Sequence, residues 1–144
     1  MPAEGGAEER LTTAGGYDDG PEYSPDGRWI YFNSNRGGRW NLWRMPPDGA
    51  GALDARAQQV TRDEPSDWFP HISPDGKWIV YLAFPADMDP WTHPFYRHCY
   101  IRLMPAAGGA PRNIAYIYGG QGSMNTPGWS ADSKRIAFVT NSKL

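Results

Sequence analysis

The chain states one phrase three times. Tyr23-Ser-Pro-Asp-Gly-Arg-Trp-Ile-Tyr-Phe32 recurs as Ile72-Ser-Pro-Asp-Gly-Lys-Trp-Ile-Val-Tyr81. A degenerate third copy, Trp129-Ser-Ala-Asp-Ser-Lys-Arg-Ile-Ala-Phe138, stands in the same register. Ser-Pro-Asp-Gly is turn chemistry: proline presets φ, aspartate bonds nearby backbone, and glycine takes the positive φ. The apolar run after each turn is aromatic and β-branched, the pattern of a strand buried on both faces. Each copy therefore reads as strand, tight hairpin, strand.

A second hairpin recurs behind the first. Trp40-Asn-Leu-Trp-Arg44 runs into Met45-Pro-Pro-Asp-Gly49, and Tyr100-Ile-Arg-Leu103 into Met104-Pro-Ala-Ala-Gly-Gly-Ala110. Short strands follow, Gln58-Gln-Val-Thr61 and Arg112-Asn-Ile-Ala115. The full unit has four antiparallel strands, a to d. Ser24, Ser73 and Ser130 are 49 and 57 residues apart. Four-stranded units at this period predict an all-β fold of β-propeller blades rather than a sandwich. The composition agrees, with 17 glycines, 14 prolines and 14% aromatic residues supplying turns and material for packed sheets.

The three in-register phrases, with Asn-Leu-Trp-Arg-Met and a Leu-Thr after a Gly turn, resemble the repeat of TolB-family propellers over essentially the whole chain. The resemblance implies the C-terminal half of a six-bladed TolB-family protein, about three blades per chain. It also implies a name taken from the periplasmic partner of the Tol–Pal system. Ala131 and Ser133 replace proline and glycine in the third copy and weaken that turn.

The expected layout is the end of one blade at 1–19, blades at 20–61 and 69–117, and a half-blade of strands a and b at 126–144. Met1-Pro-Ala-Glu-Gly-Gly-Ala7 matches Met104 to Ala110, so Glu8 to Thr13 takes the place of strand d. A chain with a donor d strand at one end and an acceptor half-blade at the other predicts a homodimer that closes the ring between chains. The alternative is a propeller fragment with no independent function.

Composition narrows the partners. The net charge is −2, with no basic cluster, so nucleic acid is not an expected partner. No apolar run reaches the roughly 18 residues of a membrane span. Residues 1–10 lack the basic and apolar regions of a signal peptide, which places the chain as written in the cytoplasm. As a piece of a secreted TolB-like parent it would be periplasmic. Cys99 has no partner for an intrachain disulfide.

Function is expected where the loops vary. The a–b and c–d hairpins are short and stereotyped, whereas the d–a connections and the b–c loop at 84–98 are long. On that rim the candidate ligand-binding residues are Asp18, Asp19, Asp67, Trp68, His71, Trp91, His93, Gln121 and Asn125. Trp68 and Trp91 offer stacking surfaces for a sugar or peptide, and the aspartates offer charge for a cation or a basic peptide. Trp29, Trp40, Trp43, Trp78 and Trp129 are assigned to the core.

The leading expectation is a non-enzymatic binding or scaffold module for a protein, peptide or glycan, without a cofactor. The competing class resembles the propeller-fold oligogalacturonate lyases, with His71, His93 and Gln121 at a metal; no second histidine spacing beyond His93 and His98 supports it. Gly120-Gln-Gly-Ser-Met124 is not a nucleophile elbow, so Ser123 is not assigned as a nucleophile. The chain has no room for the hydrolase domain that prolyl-oligopeptidase propellers carry.

Overall fold

Each repeat is organised by its own turn, and the three turns are the same down to single hydrogen bonds. Ser24, Ser73 and Ser130 each donate their hydroxyl to an aspartate two residues on, at 2.6 Å in every case. Each serine oxygen then accepts the N–H of the residue five positions later, Trp29, Trp78 or Arg135. The serine hydroxyl, aided by a backbone N–H, holds the Asp26, Asp75 and Asp132 carboxyls below the usual range, Asp26 at about 2. The third turn keeps this geometry without its proline or glycine. Ser133 adopts the left-handed φ of +60° that Gly27 and Gly76 adopt in the other copies.

The computed structural model describes residues 1–141. Two antiparallel sheets have their strands in sequence order. The first blade comprises β1 (Asp18–Tyr23), β2 (Ile30–Ser34), β3 (Asn41–Met45) and β4 (Gln58–Gln59). The second comprises β5 (Ser66–Ile72), β6 (Trp78–Phe84), β7 (Phe95–Pro105) and β8 (Arg112–Gly120). Two four-stranded sheets in this order are propeller blades, as the repeat predicts. In the third unit a single bridge joins Trp129 to Ile136. The last three residues of the half-blade expected at 126–144 lie outside the described residues.

The core lies between the blades. Every residue of β2 is buried, and β6 is buried from Ile79 to Phe84. Alternate side chains of β6 serve different interfaces. Ile79, Tyr81 and Ala83 pack with Tyr31 and Leu42 of the first blade. Val80, Leu82 and Phe84 pack with Cys99, Ile101 and Ile117, and with Met124 and Trp129 beyond. Of the tryptophans assigned to the core, Trp40 is buried, while Trp29, Trp43, Trp78 and Trp129 are half-buried.

Two stretches depart from the sequence reading. The β7–β8 hairpin reaches beyond the expected Tyr100–Leu103 and Arg112–Ala115, pairing Phe95 with Gly120. Aromatic and β-branched residues continue past both expected ends, so pairing continues too. At the other end, residues 8–13 form no ladder, because no described strand lies alongside to pair with them. They are tied to the first blade individually. Leu11 accepts the Ala50 N–H at 2.8 Å, and the Thr13 and Ala14 N–H groups donate to Asp54. Burial alone would raise the Asp54 carboxyl. The Ala14 and Thr13 donors, with Arg36 at 2.9 Å, outweigh it and hold the carboxyl below its ordinary value.

Both a strands carry a bulge at the same repeat position, with Gly20 (φ +60°) in the first blade and Phe69 (φ +53°) in the second. The Phe69 ring sits over Gly20, and a Cβ there would meet its Cδ1 at 2.8 Å. Gly20→Ala is therefore expected to destabilise the chain by about 1–3 kcal/mol through φ strain and overpacking. A urea melt in which the midpoint falls at unchanged slope would show it.

Candidate functional site

The long loop of the second blade is shaped by its own short-range bonds. The Asp89 carboxylate accepts the Trp91 N–H at 3.0 Å, and the Thr92 hydroxyl donates to the Asp89 carbonyl at 2.8 Å. Pro90 opens a 3-10 turn, Pro90–Thr92, which His93 ends in the left-handed conformation. This turn presents Trp91 and His93 to the first blade.

There the two blades build one aromatic cluster. Trp40 of the first blade stacks on Trp68 of the second, with centroids 4.4 Å apart and planes 14° from parallel. The Trp91 edge meets Trp40 at 5.1 Å, and Tyr17 lies 5.1 Å from Trp40 and 5.9 Å from Trp91. His93 completes it, with Nε2 3.0 Å from the Tyr17 hydroxyl and Nδ1 3.2 Å from the Trp91 carbonyl. Aromatic contacts of this kind each add about 0.5–1.5 kcal/mol beyond the area they bury. Trp68 is wholly buried, whereas Trp91 is 57% exposed. The cluster thus has a rigid base and one open tryptophan.

The remaining candidates are dispersed. His71 is buried on β5, its Nδ1 2.6 Å from Glu22 Oε2 and its Nε2 3.0 Å from the Met124 carbonyl oxygen. Glu22 Oε1 accepts the Ile72 N–H at 3.0 Å, and the Trp129 indole donates to the His71 carbonyl at 3.0 Å. Both ring nitrogens are therefore occupied in a clasp spanning the first blade, the second, and the segment beyond. Among the described residues, no three His, Cys, Asp or Glu side chains converge in a group able to hold a metal ion.

Asp67 is fully buried between the blades rather than on the rim. Arg102 Nη1 lies 3.6 Å from it and 2.5 Å from Asp63. Burial pushes the Asp67 carboxyl up to about 8. Thr61 pulls it down, Asp63 pushes it further up, and Arg102 recovers only part of the rise. Asp18 pairs with Arg36 at 2.7 Å, and Asp19 accepts the Gly20 N–H. Gln121 is buried with its Nε2 unpartnered, and Asn125 is exposed. His98, on the opposite side of β7 from the core, stacks against Tyr116 at 4.9 Å.

Tyr17 is the residue of this cluster that sequence reasoning passed over. It stands in a d–a connection like the other candidates, and its signal was a lone aromatic in a Gly-Gly-Tyr-Asp-Asp loop.

No protein-family model matches the chain. An uncharacterized protein of Agrobacterium fabrum is 42% identical over 139 residues, which cover 96% of this chain and 45% of that relative. A solved structure described as a putative TolB from Agrobacterium tumefaciens superposes with a TM-score of 0.88 at 40% identity. It covers 100% of this chain and 50% of its own length. TolB from Acinetobacter baumannii shares the fold, with a TM-score of 0.60 at 21% identity over 83% of this chain and 25% of that one. The chain spans about half the length of the curated relative and of the first of these structures.

Proposed function

From the premise that this chain is half of a TolB-like β-propeller, we propose that it is a non-enzymatic binding module whose d–a and b–c loop face contacts a protein, peptide or glycan. The observation that carries this reading is the Tyr17–Trp40–Trp68–Trp91–His93 cluster. An exposed indole braced by buried rings stacks on a sugar face or an aromatic side chain without losing much conformational freedom on binding. The metal-assisted lyase reading has no comparable support, since His71 and His93 spend their ring nitrogens on other partners.

The test is a tryptophan-fluorescence titration with neutral oligosaccharides and aromatic peptides. A ligand of this face is expected to lose roughly tenfold or more in affinity on Trp91→Ala, the range of a binding hot spot. Unchanged affinity in a folded variant would overturn the assignment.

Self-association belongs to the same proposal. Phe138 and Val139 of the third unit are 40% and 60% exposed, an apolar surface of the kind that other blades cover. A second copy is the proposed cover. Light scattering is expected to give about twice the 16.1 kDa of one chain, and a stable single-chain mass would remove this part of the proposal.

A further inference from the structure

A cleft lies on the opposite face, away from the aromatic cluster. It has a volume of about 520 Å³ and opens between the a–b hairpins of the two blades, bounded by the c–d turn at Ala106 and Ala107. One position in the repeat accounts for it. Between the second and third units, the Ser133 hydroxyl accepts the Asp75 N–H at 3.0 Å and ties neighbouring hairpins together. Between the first and second, that position is Gly76, which has no side chain to reach Asp26, and a Cβ there would meet nothing within 4 Å. The tie is missing and the gap stays open.

The charges around the cleft are unevenly committed. Asp26 accepts bonds from Ser24 and Arg28, and Asp75 from Ser73 and the Lys77 N–H. Arg44 differs. Its guanidinium carbon lies 4.2 Å from the Trp29 ring centroid, its Nε donates to Gln58 and its Nη1 to the Tyr31 hydroxyl. Among the described residues no carboxylate pairs with it. A guanidinium held against an indole, with Nε and Nη1 engaged, is already oriented and has Nη2 left for an anion. Ile72 and Ala106 supply apolar surface in the same cleft.

We propose that this inter-blade cleft binds an acidic peptide segment, with a carboxylate on Arg44 and a neighbouring apolar side chain against Ile72 and Ala106. The site is separate from the rim cluster and stands or falls independently of it.

Calorimetric titration with a short peptide carrying one glutamate between leucines tests the proposal, with the glutamine analogue and inorganic phosphate as controls. The glutamate peptide is expected to bind, to weaken at high salt, and to exceed its glutamine analogue by about tenfold. Arg44→Gln should remove that preference, and Trp91→Ala should leave it intact. Gly76→Ser provides a second arm. By supplying the hydroxyl that Ser133 supplies in the next gap, it should close the cleft and abolish binding in a chain that still folds. Equal binding of both peptides, or binding insensitive to both Arg44→Gln and Gly76→Ser, would overturn the proposal. Phosphate competing as well as the peptide does would reduce the site to a simple anion pocket and overturn the peptide assignment.

Discussion

His71→Ala is expected to cost about 3–5 kcal/mol, the range for removing one partner of a buried, hydrogen-bonded pair. Glu22 would keep the Ile72 N–H but lose the imidazole, and the Met124 carbonyl would lose its donor. Domains of this kind have only about 5–15 kcal/mol of total stability. A thermal melt should therefore fall by ten degrees or more, or the variant should fail to fold. Glu22→Gln, which keeps the shape of the contact, should cost less. A double-mutant cycle between Glu22 and His71 should return a coupling of about 1–3 kcal/mol, and additivity of the two losses would show that the contact is not an energetic unit. The clasp matters because Glu22 and His71 occupy the same repeat position in adjacent blades. It fixes blade to blade through their first strands, β1 and β5.

Asp67→Asn should act in the other direction and depend on pH. The carboxyl titrates near 3.8 in the unfolded chain and near 8 when folded. Between those values folding takes up a proton, so stability falls as pH rises from about 4 to about 8 and is level above. The asparagine variant should lack this slope. It should match the parent near pH 4 and clearly exceed it at pH 9, where the parent must hold a buried charge. Denaturation midpoints across that range measure it directly, and parallel pH profiles for the two proteins would contradict the assignment. Arg102 remains paired with Asp63 in either case.

The legible part of the structure was the part written locally. Serine, proline, aspartate and glycine specify a turn through bonds to their own neighbours, and an uninterrupted Trp29-to-Phe32 run specifies a strand with two covered faces. Both reappear in the fold in the expected register. Trp68 and Trp91 were singled out as a pair, and the structure does join them in one cluster, but only Trp91 faces solvent. Whether a side chain on a strand-a bulge points outward depends on the bulge. The sequence carries no fixed mark for one: glycine holds the position in one blade and phenylalanine in the next. Asp67 was legible as an acid near a rim and not as a buried one, because its burial is imposed by the neighbouring blade. The cleft was hidden for a related reason. Ser133 looked like a weakened turn, whereas its effect is felt across the gap, in what Gly76 omits.

The three serine-centred turns also bear on how the chain reaches its fold. The serine and aspartate bonds that close each turn span five residues or fewer, so each hairpin closes with little loop entropy. The clasp and the aromatic cluster join residues 49 and 76 positions apart. Contacts so distant in sequence form only when whole hairpins meet. Assembly is thus divided into local closure of hairpins and the docking of one blade onto the next.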